Sequence, residues 1–223
     1  MALWITGDTH GFYNEFMTRI AEHGVREGDQ IIVCGDFGFV FDHPDNIASL
    51  FKLKKEPFMF YFADGNHEGF DRLAQYPEED WQGGRVHRVA DNILHLMRGN
   101  IFDIEGQSFF CMGGAYSHDK MYRTEGRTWF KEELPSQEEY DLADKNLAAR
   151  GMKVDNIVTH TAPFTVIQAL RFSLYDQEFL LDSYLDRIRE TVEFGHWYFG
   201  HFHTDRTFLG KYTVLYDDMI KLS

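Results

Sequence analysis

Residues 197–205, Trp-Tyr-Phe-Gly-His-Phe-His-Thr-Asp, place two imidazoles, His201 and His203, one residue apart directly behind an aromatic, strand-like run. In an extended chain, residues i and i+2 point to the same face, so both rings approach one point in space. A strand end carrying two exposed histidines reads the same way when taken alone. The choice turns on whether other strands end in further donors.

Working outward, the remaining short apolar or β-branched runs are LWIT (3–6), QIIVCG (30–35), PFMFYFAD (57–64), SFFCMGG (108–114) and NIVTH (156–160), all strand-like in length and composition. Helical patterns lie between them. Phe12, Phe16 and Ile20 recur at i and i+4 before Gly24, and Ile47, Leu50 and Phe51 form a second stripe. Ser136 and Glu139 make a capping box that opens a third helix, with Gly151 at its far end. Tyr184, Leu185, Ile188 and Val192 mark a fourth, with Gly195 behind it. Strands alternating with helices predict an α/β protein with a largely buried sheet. The tail RTFLGKYTVLYDD (206–218) predicts an antiparallel hairpin turning near Gly210 and Lys211, which adds a mixed or second sheet. With no linker, low-complexity stretch or internal repeat, residues 1–223 are expected to form one domain.

Composition narrows the functional classes. At 43% apolar and 16% aromatic, 223 residues can bury a full core. Lys and Arg total 22 against 36 Asp and Glu, a formal charge of −14, which argues against long nucleic acid as a partner. Cys34 and Cys111 sit in apolar runs and read as reduced core thiols. No run approaches the roughly 18 apolar residues of a membrane span, and the start carries no leader pattern, so a cytoplasmic location is expected.

Set side by side, the strand ends answer the opening question. LWIT runs into Gly7-Asp8-Thr9-His10, IIVC into Gly35-Asp36, MFYFAD into Gly65-Asn66-His67-Glu68, NIVT into His160, and WYF into Gly200-His201-Phe202-His203. In open α/β sheets, ligands bind outside the carboxyl ends of the strands, so these five turns are expected to converge. A glycine precedes the donor in four of them, letting the backbone turn without a Cβ clash. Asp8, His10, Asp36, Asn66, His160, His201 and His203 then supply enough oxygen and nitrogen for two divalent or trivalent transition metals. Four imidazoles favour Mn, Fe, Co, Ni or Zn over Mg. Of the other histidines, His23 reads as a helix C-terminal residue, and His43, His87, His95 and His196 show no converging partners. The acidic run Pro77-Glu78-Glu79-Asp80 and the pair Asp217-Asp218 read as solvated surface.

The ordered set Asp8-x-His10, Gly35-Asp36, Gly65-Asn66-His67-Glu68, His160 and Gly200-His201-x-His203 resembles the calcineurin-like metallophosphoesterase superfamily over nearly the whole chain. The resemblance implies a four-layer α/β/β/α sandwich of two mixed sheets flanked by helices. It also implies Asp8, His10 and His203 on one metal, Asn66, His160 and His201 on the other, and Asp36 bridging both. His67 matches the histidine that sits beside the substrate as general acid or transition-state stabiliser. The protein phosphatases of that superfamily extend the second block to Gly-Asp-x-x-Asp-Arg-Gly, whose Asp orients the catalytic histidine and whose Arg holds phosphate. Here Phe39 and Val40 stand in those places, leaving Asp42 or Glu68 as candidates to orient His67.

A polar segment from Tyr116 to Trp129 is placed to hang over the site and compensate. It carries Tyr116, His118, Asp119, Arg123 and Arg127, and an arginine fork suits phosphate oxygens. Tyr116, Asp119 and Arg123 are the candidate substrate contacts. The expected activity is hydrolysis of a small or medium phosphomonoester or phosphodiester by a hydroxide shared between two cations. A catalytically silent metal-binding scaffold of the same fold and a nuclease are the competing readings. An intact donor set counts against the first, and the acidic charge against the second.

Overall fold

The computed structural model describes residues 1–223. The first sheet contains β1 (Leu3–Thr6), β2 (Gln30–Cys34), β3 (Met59–Ala63), β4 (Glu78–Trp81), β5 (Gly84–Ala90), β6 (Ile93–Leu96) and the last strand, β13 (Met219–Lys221). The second contains β7 (Asn100–Ile104), β8 (Gln107–Met112), β9 (Lys153–Thr159), β10 (Glu193–Phe199), β11 (Arg206–Phe208) and β12 (Tyr212–Val214). Their orders are β13-β1-β2-β3-β6-β5-β4 and β11-β12-β10-β9-β8-β7, and both sheets are mixed. Helices α1 (Tyr13–Glu22), α2 (Pro44–Leu53) and α3 (Phe70–Leu73) precede α4 (Gln137–Ala149), α5 (Phe164–Leu170) and α6 (Phe179–Thr191). None of them is long and apolar enough to cross a membrane.

Why four layers form is visible in the strand alternation. Ile32 and Cys34 of β2 and Tyr61 and Ala63 of β3 point between the sheets, where they meet Phe109 and Cys111 of β8 and Tyr198 of β10. Their neighbours Ile31, Val33, Phe60 and Phe62 point the other way, onto Phe16 and Ile20 of α1 and Leu50 and Leu53 of α2. Phe110, Met112, Trp197 and Phe199 likewise leave the second sheet toward Tyr140, Ala143, Leu185 and Ile188 of α4 and α6. Strands buried on both faces carry no polar alternation, so they read in the sequence as continuous apolar runs. Both cysteines are free and fully buried.

Several local expectations need correction. Phe12 precedes α1 and is 59% exposed, and Ile47 and Phe51 of α2 are 43% and 61% exposed, so of the expected stripes Phe16, Ile20 and Leu50 anchor those helices, joined by Leu53. Gly195 lies inside β10 rather than capping α6. The acidic run 78–81 is an edge strand whose Glu78 and Glu79 pair with Arg85 and Arg88, a charged edge that discourages sheet-to-sheet pairing. The capping box at Ser136 forms, and so does the late hairpin, whose β12 joins the second sheet parallel to β10.

One buried feature has a stability cost. Asp182 on α6 is 1% exposed, and neither of its carboxylate oxygens receives a hydrogen bond. Burial and the nearby Glu178 push its pKa up to about 9, and burial likewise raises Glu178 to about 7. The folded state therefore holds these protons more tightly than the unfolded chain, where an Asp titrates near 4. Stability from this source is full below about pH 4 and is lost as pH climbs toward 9. Asp182→Asn is expected to raise Tm at pH 8.5 by several degrees, because the folded chain there must keep a proton that the unfolded chain has released, and the amide removes that cost. At pH 4 the two melting curves should coincide; an equal difference at both pH values contradicts the assignment.

Candidate metal centre and active site

β1, β2, β3, β9 and β10 all release their chains at one end of the sandwich, and the five polar turns meet there. His10 Nε2 lies 3.1 Å from His203 Nε2. Asp8 Oδ2 stands 3.7 Å from the first nitrogen and 3.3 Å from the second, and it is buried with no hydrogen-bond donor. The other oxygen of Asp8 accepts the backbone N–H of His201 at 3.0 Å. Asp36 Oδ2 faces His10 Nδ1 at 3.7 Å, while its Oδ1 lies 3.3 Å from His160 Nε2. His160 Nε2 is 3.1 Å from Asn66 Oδ1, and its ring packs edge-on against His201 with centroids 5.0 Å apart.

These donors are held from behind. His160 Nδ1 donates to the Cys34 carbonyl at 2.9 Å, which leaves Nε2 as the nitrogen facing Asp36 and Asn66, where a cation would replace its proton. Asn66 Nδ2 donates to Ser117 Oγ at 3.1 Å, which turns the amide oxygen toward His160, and Ser117 is itself fixed by Glu133 Oε1 at 3.0 Å. The turn after β1 rests on buried Arg19 of α1, which donates to Thr6 Oγ1 at 3.0 Å and to the Asp8 carbonyl at 3.1 Å. Neither Ser117 nor Arg19 announces itself in the sequence: one sits in a polar segment and the other on an amphipathic helix.

The backbone is bent to bring the donors in. His10, Asp36, His201 and His203 all have left-handed φ values, between 47° and 68°, a region that non-glycine residues enter at a cost. The glycines serve close approach. A Cβ on Gly65 would strike Asp36 Oδ1 and crowd His160 Nε2, and one on Gly200 would strike Asp8 Oδ1.

Electrostatics follow the geometry. Burial opposes charge on Asp36, but the imidazoles of His160, His67 and His10 hold its carboxyl well below the usual range. Burial likewise opposes protonation of His160, yet Asp36 and Asp8 outweigh it and raise that ring to about 10. His201, buried beside His160, is pushed down to about 3. Two carboxylates, four imidazoles and an amide oxygen thus crowd a site in which only part of the set is satisfied by protons. A buried oxygen with no donor beside two imidazole nitrogens aimed at one point is a set of donors that suits transition-metal cations. The first such group is Asp8, His10 and His203, and two more triads, His10 with Asp36 and His67 and Asp8 with Asp36 and His160, also bring potential ligand atoms within 4.8 Å of one another.

His67 sits at the rim. Its backbone N–H donates to Asp36 Oδ1 at 2.6 Å, and its ring meets the Arg123 guanidinium at 2.8 and 3.0 Å. Burial, together with that guanidinium, lowers the His67 pKa. Arg123 is itself clamped by Asp119 at 2.8 Å and by the Thr128 carbonyl at 3.1 Å. Neither of the residues considered for orienting His67 does so. Asp42 pairs with Arg72 at 2.9 Å, and Glu68 accepts the backbone N–H groups of Phe37 and Gly38 at 2.6 and 3.2 Å. Phe37, Phe39 and Val40 are fully buried in the core beneath α1 and α2, so that block offers phosphate nothing. Tyr116 is buried, its ring near Tyr175 and under the Lys120 ammonium, which also lies over Trp129.

A four-layer sandwich with Asp, His and Asn donors gathered at its strand ends defines a protein with a candidate metal centre. Residues 1–205 match the calcineurin-like phosphoesterase family, and the chain belongs to it. The family is one of phosphoesterases that work with two transition-metal ions, and the Asp and His groups gathered here could hold metal. A lariat debranching enzyme of Caenorhabditis briggsae is 28% identical over 132 residues, 51% of this chain and 24% of that protein, so the match spans about a quarter of the relative's length.

Cation binding should be visible as stability. Adding Zn2+ or Mn2+ to chelator-treated protein is expected to raise Tm, by about 2.7 kcal/mol of linkage at a hundredfold excess over Kd. Asp8→Asn should lose most of that rise while melting near wild type without metal. An undiminished rise in the variant would remove Asp8 from the metal site.

Proposed function

We propose that the protein hydrolyses a small or medium phosphomonoester or phosphodiester at a dinuclear centre in which Asp36 bridges the cations. Asp8, His10 and His203 hold one cation, and Asn66, His160 and His201 the other. The observation that supports this reading most strongly is Asp36 itself, whose two oxygens face different donor groups, His10 on one side and His160 on the other. Two bound cations of this kind acidify water and offset charge on phosphoryl oxygens.

The remaining work belongs to the chain. Arg123 aims both terminal N–H groups at the His67 ring nitrogens at the rim, so an anion entering between them would be met by a guanidinium fork suited to phosphoryl oxygens. Asp119 fixes the guanidinium plane, so little side-chain freedom is lost when phosphate arrives. His67, once relieved of Arg123 by an anion between them, is placed to donate a proton to the leaving oxygen. Arg123 thus takes the phosphate-holding role for which residues 37–40 are too deeply buried. A phosphodiester within a nucleic acid is the second reading, favoured by the name of the debranching relative.

His67→Asn should lower kcat by roughly 10²- to 10⁴-fold on alkyl phosphates and much less on p-nitrophenyl phosphate, whose leaving group needs little protonation. Equal losses on both would reassign His67 to stabilising phosphoryl charge. Steady-state kinetics on p-nitrophenyl phosphate, bis-p-nitrophenyl phosphate, nucleotides and short oligonucleotides test the substrate class. Preference for oligonucleotides over every small ester would favour the second reading. Arg123→Ala should raise KM about tenfold or more, as expected for a charge-assisted pair to phosphate, with metal content unchanged; an unaltered KM would make the segment mere surface.

A further inference from the structure

Beside the turn that carries Asn66 and His67 lies a cleft of about 730 Å3, walled by α3 and the start of α4 and floored by β5 and β6. Its size falls in the range of small-molecule sites. The floor holds a chain of buried groups that the sequence had not joined, since His87 and His95 there show no partners. Arg98 donates to Asp64 through Nε at 2.7 Å and again through Nη2, and reaches the Glu132 carbonyl at 2.8 Å. The Asp64 charge is thereby matched, and the guanidinium is occupied. His95 Nε2 stands 3.0 Å from Asp64 Oδ1 and must carry the proton, because a carboxylate can only accept. Its Nδ1 then offers a lone pair to His87 Nδ1, 2.9 Å away, which must carry the next proton.

The consequence falls on the far nitrogen. Burial pushes His87 down to about 4, so its ring is neutral, and with the proton on Nδ1 its Nε2 bears a lone pair. The nearest polar group to that lone pair, Glu78 Oε1 at 3.8 Å, is another acceptor and is held by Arg85 at 2.8 Å. His87 Nε2 is therefore a directed acceptor without a donor, in a cleft whose other walls include Phe70, Leu73, Met97 and Pro135. An anion would meet the lone pair with like polarity, and an aliphatic group would leave it unpaired. A flat, uncharged ring with an N–H donor satisfies both the lone pair and the apolar walls. A smaller hollow of about 350 Å3 shares Phe70, Ala74, Lys131 and Glu132 with the cleft and extends to Glu125 and Gly126. Those residues lie two and three positions after Arg123, which faces His67, and the cleft wall itself includes Asp64 and Phe70 on either side of the Asn66–His67 turn.

We propose that the cleft receives the alcohol part of the substrate, an N–H-bearing heteroaromatic ring of the nucleobase kind, with the donor on His87 Nε2 and the phosphate at the metal turns. The phosphate end rests on the function proposed above; ring binding does not. The test is imidazole 15N NMR of zinc-loaded protein titrated with adenosine, guanosine, cytidine and uridine, which carry no phosphate. At least one nucleoside is expected to shift the His87 Nε2 resonance saturably, and His87→Phe, which keeps a ring and removes the acceptor, should weaken its binding tenfold or more. If that variant does not fold, Ala74→Trp fills the cleft from its exposed rim and should weaken binding as much. No saturable shift with any of the four, or wild-type affinity in the variants, would overturn the proposal. A saturable shift in a protein that turns over no phosphate ester would support the cleft and sink the proposed activity instead.

Discussion

Two imidazole nitrogens 3.1 Å apart, His10 Nε2 and His203 Nε2, share their surroundings with a buried Asp8 oxygen that has no donor. At most one hydrogen bond can join the two rings, and the carboxylate oxygen has only the His203 and His10 nitrogens beside it, at 3.3 and 3.7 Å. Bringing such groups together is unfavourable unless something cationic completes them, and much of the structure is arranged to enforce the meeting. Four of the nine non-glycine residues with left-handed φ are His10, Asp36, His201 and His203. Each costs on the order of 1–3 kcal/mol of local strain. The surrounding contacts hold that strain in place: Arg19 beneath the first turn, Glu68 beneath the second, Ser117 behind Asn66 and the Cys34 carbonyl behind His160. Removing any of these supports would relax a donor without touching it.

The strands and donors of this centre were legible because both rest on local pattern. Strands buried on both faces show as apolar runs, and a polar residue directly after such a run stands out. The stretch from Glu78 to Ile104 was not legible as four strands. β4 is an acidic edge, and β5 mixes Arg85, His87 and Arg88 with Val86 and Val89, so neither period nor composition marks them. The tie between Asp64, His95 and His87 was hidden for the same reason, since it joins three strands that the sequence does not pair. α3 and α5 span only 4 and 7 residues, too short to display a helical period. Arg123 was legible only as an arginine in a well-placed polar segment, and its pairing with Asp119 and His67 is a tertiary fact.

The second block shows how one family site is rebuilt. Phe37, Phe39 and Val40 turn inward and become part of the core, which leaves no phosphate-binding side chain on that turn. In the proposed function that role passes to Arg123, from the segment between β8 and α4, which is clamped by a carboxylate four residues before it. Glu68, freed from any role at His67, fixes the backbone of the same inward-turned block. The substitution in one loop and the arginine in another thus form one physical solution.

The account stands or falls on a bridge between two cations at Asp36. Elemental analysis of protein purified with Mn, Fe or Zn, combined with anomalous diffraction, measures it most directly. Two metal ions per chain, flanking Asp36, with both diminished in Asp36→Asn, are the predicted result. A saturated stoichiometry of one, or a pair of sites indifferent to Asp36, would contradict it.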